Sequence, residues 1–276
     1  WLLGLWGEEV YYIGHLQQDL YGQRIIDEFA EAGVDTSQVV FSDDMITPLA
    51  SVLVNRLTGS RTIITRKMQT PPSLTYEQKL KLDDLAERLI ASEEPVTILI
   101  DGHEAEISEY LIKKLPNARV VMDGGSLRAS NIKLAAWTDY FVVSEHFARD
   151  YMSYRSLSTE AEIKAALIEL NKICRGEAFI TLGEKGCAFL KSGMLQIVPS
   201  WLCNAVDTTG AGDVFHGAFT YGVHYSWHID NIILFASLTA AISIEKKGAR
   251  DSMPDLAGVH HSVNSDERNL TPYFEE

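Results

Sequence analysis

The run Val206-Asp207-Thr208-Thr209-Gly210-Ala211-Gly212-Asp213-Val214-Phe215-His216-Gly217-Ala218 concentrates the residue types that can handle an anion. Gly210, Ala211 and Gly212 carry little or no side chain, so the backbone can turn tightly there and present bare N–H groups. An apolar-periodic helix follows at once, and a helix N-terminus carries positive partial charge. Such a turn is an anion hole. Asp213 falls in the first helical turn, facing whatever anion is held; a carboxylate aimed at a phosphate is costly unless it removes a proton there. The helix N-terminus is expected to hold this carboxyl below its ordinary range. Composition leaves a second reading open, an ordinary capped helix start, because Gly and Asp are common at such positions.

Other phosphate and nucleotide patterns fit poorly. Gly210-Ala211-Gly212 lacks the third glycine of a dinucleotide fingerprint, that position being Phe215, and no Gly-x-x-x-x-Gly-Lys-Ser/Thr loop occurs in the chain. A Rossmann dehydrogenase and a P-loop enzyme are therefore disfavoured. The 276 residues, 46% apolar and 22% charged, suit a globular protein with one large domain. With a net charge of −14, the chain as a whole repels nucleic acid and anionic membranes. A polyanionic ligand must then be met by local backbone dipoles, a few placed cations or a metal. Cys174, Cys187 and Cys203 show no metal-ligand spacing and point to a reducing compartment, with the cytosol as default. The apolar run over residues 232–244 falls short of a membrane span and reads as a buried helix.

The elements that must position this chemistry alternate. Residues 1–7 read as an apolar helix end, residues 9–14 as a short buried strand and residues 22–32 as a helix closed by Gly33. Residues 51–55 and 61–65 flank Thr58-Gly59-Ser60 as a β-hairpin. Helix over 75–91, strand over 96–101, helix over 106–114, strand over 119–123, helix around 131–137 and strand over 140–143 follow. Helices from Glu145 and over 159–174 continue the alternation, which makes the class α/β with a mostly parallel sheet. Residues 179–182, 187–190 and 195–198 are expected as antiparallel edge strands. Helices over about 212–225 and 231–246 precede a polar tail from His260, where His260-His261 reads as solvated. Asp101-Gly102-His103 and Asp123-Gly124-Gly125 both end parallel strands, the edge where open α/β sheets place ligands. A sugar or phosphate contact by His103 and a simple turn with a solvated histidine are both open.

With these elements in place, the run 207–217 resembles the C-terminal signature of the ribokinase (PfkB) family of carbohydrate kinases. Four further segments are similar in family order: residues 13–22 with Ala32-Gly33-Val34-Asp35, Gly59-x-Arg61-Thr62, Thr181-Leu182-Gly183-Glu184-Lys185-Gly186, and Lys247-Gly248-Ala249 with Ser252 and Pro254. The resemblance covers residues 2–256 and implies a ribokinase-like fold, a central mostly parallel sheet with helices on both faces and a small β lid within 50–65. It implies an ATP-dependent sugar kinase using Mg²⁺, with Asp213 as catalytic base and the amides of Gly210, Ala211 and Gly212 holding the transferring phosphoryl charge. Thr181, Gly183 and Gly186 would border the nucleotide. Asp207, Thr209, Ser243, Lys246, Gly248 and Ser252 fall where the family forms a monovalent-cation site, making K⁺ a candidate cofactor.

One departure stands out. The family's Asn-x-x-Glu after the fourth strand of the alternation reads Ser144-Glu145-His146-Phe147 here, so Glu145 is the candidate for indirect Mg²⁺ support, against the simpler reading of a helix start. The expected substrate is a small sugar with a primary hydroxyl, a ketose or related sugar. A nucleoside or vitamin-alcohol kinase, and a non-catalytic sugar or nucleotide sensor, are the rivals. Neither nucleic acid nor a membrane is expected as partner, and a homodimer is the candidate assembly. Because the sequence starts with Trp1-Leu2-Leu3, inside an apolar helix, a preceding βαβ unit is expected in the natural polypeptide, making residues 1–276 one N-terminally incomplete kinase domain.

Overall fold

The computed structural model of the chain describes residues 1–43, 46–47, 49–54, 61–65 and 71–264. The chain runs through α1 (Leu2–Leu5), β1 (Val10–Tyr11), β2 (His15–Leu16), α2 (Leu20–Glu31), β3 (Val34–Asp35), β4 (Val40–Phe41) and the antiparallel pair β5 (Ala50–Val54) and β6 (Arg61–Thr65). It then alternates through α3 (Tyr76–Ala91), β7 (Thr97–Ile100), α4 (Ala105–Lys114), β8 (Arg119–Gly124), α5 (Ala129–Ala135), β9 (Tyr140–Ser144), α6 (Glu145–Tyr151), α7 (Glu160–Asn171) and β10 (Glu177–Thr181). The meander β11 (Cys187–Lys191) and β12 (Met194–Val198) leads to α8 (Ala211–His224), α9 (Ile229–Ser243) and α10 (Leu256–Asn264).

Near-continuous apolar runs in β8, β9 and β10 require cover on both faces, and the sheet has it. Val121, Val142 and Phe179 point to one side, where they pack with Leu2 of α1 and with α8 and α9 through Phe215, Phe219, Ile233 and Leu238. Their strand neighbours Val120, Met122, Phe141, Val143 and Ile180 point to the other, against Leu134 of α5, Phe147 of α6 and Leu167 of α7. The six strands lie in the order β12-β11-β10-β9-β8-β7, with β7 to β10 parallel and β10 to β12 antiparallel. Capping boxes at Thr75 with Gln78 and Thr159 with Glu162 start α3 and α7 at the positions the sequence suggests. Gly33, at φ +74°, follows the end of α2.

The structure corrects three expectations. Residues 179–182 do not form an antiparallel edge: β10 pairs parallel with β9 over five residues, and the antiparallel edge begins only at β11. Buried on both faces, β10 belongs to the parallel core. Residues 260–264 of the tail form the second half of α10, the remainder lying outside the described residues, and the His260 ring packs 5.5 Å from Phe235, so this histidine is not simply solvated. The strand expected over residues 9–14 is short and half-buried, two residues of it pairing parallel with β3. The hairpin turn Thr58-Gly59-Ser60, with the Gly59 of the lid resemblance, lies outside the described residues. No helix among the described residues is long and apolar enough to cross a membrane.

Phe179 sits at the centre of this core, its ring 5.6 Å from Phe189 and 5.4 Å from Phe219. Phe179→Ala is expected to destabilise the protein by about 3–5 kcal/mol, read as a lower urea midpoint; a loss under about 1 kcal/mol would contradict this packing.

Candidate active site

Parallel strands share one direction, so their carboxyl ends collect at one edge of the sheet. Asp101 follows β7, Asp123 lies near the end of β8, and Ser144 and Thr181 end β9 and β10 in register with each other. The start of α8 is fastened over this edge by His216. The buried ring places Nε2 3.2 Å from the Val142 carbonyl of β9, and Nδ1 2.7 Å from the Gly212 carbonyl and 3.4 Å from Asp123 Oδ2.

Gly210 is the N-cap of α8 in the left-handed region, φ +79°, and no side chain caps the helix. A Cβ there would lie 3.1 Å from the Ala249 Cβ, whereas a Cβ on Gly212 would meet nothing within 4 Å. The turn is thus close to protein on one side and open on the other. The first helical bond is Val214 N–H to the Gly210 carbonyl, 2.9 Å, so the amides before it lie outside the helical ladder, and that of Ala211 reaches back to the Thr208 carbonyl in a long 3.4 Å bond. A helix start capped by a side chain is not what is found here.

The turn is braced from behind. Asp207 accepts from the Thr209 amide through Oδ1 at 3.0 Å and from the Gly248 amide through Oδ2 at 3.1 Å. The Val206 and Asp207 amides both donate to the Ile244 carbonyl, at 2.7 and 3.1 Å. Asp207, Thr209 and Gly248 therefore meet, and buried Ser252 joins them through its amide bond to the Gly248 carbonyl, 3.1 Å. The Ser243 hydroxyl is turned into its own helix, donating to the Ala240 carbonyl at 2.8 Å, and the Lys246 side chain is exposed.

Asp213 lies in the first turn of α8, part of its side chain open to solvent. Enough protein still surrounds it that desolvation pushes its carboxyl above the ordinary range; the Asp123 carboxylate adds to this and His216 opposes it. The expected depression by the helix N-terminus is thereby reversed, because burial and a second carboxylate outweigh a partial charge. Sequence reasoning noted Asp123 only as a strand end and passed over His216. The available signal was its spacing: three residues after Asp213, His216 shares its side of the helix.

Along the nucleotide-side hairpin, the Thr181 hydroxyl donates to the Val143 carbonyl at 3.4 Å, and Leu182 N–H to the Gly186 carbonyl at 2.7 Å closes the turn. Gly186 is required: a Cβ there would fall 2.0 Å from the Val198 carbonyl oxygen. Gly183 borders open space. Ser144 caps α6 by accepting from the Phe147 amide at 3.0 Å and donates to the Gly125 carbonyl at 2.8 Å, with Glu145 next to it in the first turn. Asp101 accepts from the His103 amide at 2.8 Å, a local turn. Sequence reasoning missed Glu104, which binds both the amide and the ring of His15, at 2.8 and 2.9 Å across 89 residues.

Residues 2–256, which include this edge and the glycine turn over it, match the pfkB family of carbohydrate kinases. The chain belongs to that family. It is 27% identical over 262 residues to a ribokinase of Lactococcus lactis, covering 95% of this chain and 82% of the relative. The fold is similar to an Arabidopsis thaliana ribokinase complexed with ribose and ATP, TM-score 0.77 at 20% identity over 96% of this chain and 85% of that one. It is also similar to an E. coli ribokinase II described in complex with ATP and Mg²⁺, TM-score 0.71 at 18% identity over 95% and 85%.

Because the Asp213 carboxyl is raised in the folded chain, its ionisation opposes folding at neutral pH and the penalty disappears as pH falls below its ordinary value of 3.8. Asp213→Asn is expected to raise the thermal midpoint at pH 7 by about 1–3 °C, a small gain because solvent screens the exposed part. The gain should vanish near pH 3, and a lower midpoint at pH 7 would contradict the electrostatics.

Proposed function

We propose that the chain transfers the γ-phosphoryl group of ATP to a primary hydroxyl of a small sugar, a ketose or related sugar. The observation that carries the reading is the uncapped turn at Gly210, Ala211 and Gly212, with Asp213 beside it, held over the ends of β8 and β9. Asp213 takes the proton of the attacking hydroxyl, and a carboxyl raised toward neutrality is a better base than an ordinary one while it remains ionised. The amides of this turn stabilise charge on the transferring phosphoryl group without reorganising. Thr181, Gly183 and Gly186 border the nucleotide, in line with the ATP named for the similar ribokinases. Oxygen donors suited to a hard cation, Glu145 and Asp123, are present at the same edge. Bound with ATP, Mg²⁺ would neutralise phosphate charge. The thiols of Cys174, Cys187 and Cys203 support a reducing compartment, the cytosol.

The test is ATP consumption by the full chain across a panel of ketoses, pentoses and nucleosides. Turnover is expected with a sugar, and Asp213→Asn is expected to lower it by at least about 100-fold while ATP affinity stays within about 3-fold. Binding of ATP without turnover on any acceptor overturns the catalytic reading, and turnover confined to nucleosides overturns the sugar.

A monovalent cation, K⁺, is proposed behind the turn. The Asp207 carboxylate joins the Thr209 and Gly248 amides, and such an oxygen donor between two loops suits a large, weakly hydrated ion. The ion would stiffen the link between residues 207–209 and 248–252 without touching substrate. Replacing K⁺ by tetramethylammonium at constant ionic strength is expected to slow turnover by about 10-fold, the order of a lost positioning contact; an unchanged rate removes the cation and leaves the kinase reading standing.

A further inference from the structure

We propose that Arg250 is a positioning residue for the catalytic turn: held by Glu28 and laid over the Trp1 ring, it anchors to α1 and α2 the loop against which Gly210 rests. The inference rests on the reading of residues 210–213 as the site of phosphoryl transfer. It starts from what shapes that turn. No side chain caps α8, and the Ala211 amide reaches the Thr208 carbonyl only at 3.4 Å, so the turn takes its form from what stands behind it. That backing is the 248–252 loop. Ala249 lies next to Gly210, close enough that a Cβ on the glycine would come within 3.1 Å of the alanine Cβ, and the Gly248 amide donates to Asp207 Oδ2 at 3.1 Å. A displaced loop therefore displaces the turn.

Two contacts hold the far side of this loop. The Trp6 indole donates to the Pro254 carbonyl at 3.0 Å, and the Arg250 guanidinium pairs with Glu28 Oε2 while lying 5.2 Å from the centre of the Trp1 ring. Glu28 is prepared to receive it: its side chain on α2 is only 19% exposed, and its other oxygen accepts from Arg24 at 2.8 Å. Trp1 in turn packs against Phe29, ring centres 6.3 Å apart, so the stack and the ion pair fall on adjacent residues of one helix. A planar guanidinium can lie on an indole and still offer edge N–H groups to a carboxylate, which an ammonium cannot do. The Arg250 side chain is half exposed, so the pair adds little to global stability. Its effect is local. It fixes where the loop stands, and a catalytic group misplaced by about 1 Å loses on the order of 100-fold in rate.

The experiment compares Glu28→Gln, Arg250→Ala and the double variant in the full chain. With the best sugar of the panel, each single variant is expected to lower kcat about 5- to 20-fold while KM for ATP changes less than about 3-fold. The double variant should fall no further, because either change already breaks the pair. The thermal midpoint should drop by less than about 3 °C, so lost folding does not account for the lost rate. A kcat within about 2-fold of the parent's, or losses that multiply in the double variant, overturns the proposal. A measurement independent of turnover uses ¹⁵N-glycine labelling: in Glu28→Gln the amide signals of Gly210 and Gly248 should move, while that of Gly193, between β11 and β12, stays. Unmoved Gly210 and Gly248 signals overturn the proposal even where Arg250→Ala fails to fold. If no acceptor is turned over, the glycine spectra still decide Arg250 while the kinase reading fails on its own.

Discussion

Burial of the parallel strands on both faces is the constraint on which the rest depends. Val120, Val121, Met122, Phe141, Val142, Val143, Phe179 and Ile180 are all shut from solvent, and alternate residues send side chains to opposite faces. Such strands cannot be stable with one face wet, so helices must cover both sides, and the crossovers that bring them there make successive strands parallel. Parallel strands end together. The carboxyl edge with Asp101, Asp123, Ser144 and Thr181 is thus a by-product of core formation, and α8 reaches it because its apolar face, Val214, Phe215, Ala218 and Phe219, is buried in the same core.

A chain with net charge −14 that must hold a phosphate cannot rely on its overall field. What the structure offers instead is a local dipole: a helix start without a side-chain cap, made possible by Gly210 at positive φ. The carboxylates nearby have separate tasks. Asp207 is spent on the Thr209 and Gly248 amides and acts as a brace, while Asp213 has the open side of the turn. Asp123 sits between, close to His216, and its charge adds to the desolvation that raises the Asp213 carboxyl.

What the sequence made legible follows from locality. The turn at residues 207–213 is a contiguous run whose geometry is set by its own small residues, so its place before α8 could be read directly. The alternation from β7 to α7 was equally visible, since the period of apolar residues is a local property. The partner of β10 was not, because residues 177–181 read the same whether they pair parallel or antiparallel, and only β9 decides it. Long-range pairs escaped for the same reason: His216 with Val142 spans 74 residues and His15 with Glu104 spans 89. The Asp213 carboxyl was misjudged because a helix dipole is written in the sequence whereas desolvation and the Asp123 charge exist only in three dimensions.

The replacement of the family's Asn-x-x-Glu by Ser144-Glu145-His146-Phe147 has a structural consequence that bears on the site. Ser144 both caps α6 and donates to the Gly125 carbonyl, so one short side chain joins the end of β9 to the loop after β8. An acidic residue three positions on would lie within the first turn of α6, but Phe147 there is fully buried in the core beside Phe141. The helix start is consequently packed inward, and the acidic groups left at the edge are Glu145, one residue after the cap, and Asp123, on the strand that Ser144 helps to fix. Because Asp123 also faces His216, any shift of the 123–125 loop changes the charge felt by Asp213. The serine tie between the start of α6 and the loop after β8 is in this way coupled, through Asp123, to the environment of Asp213.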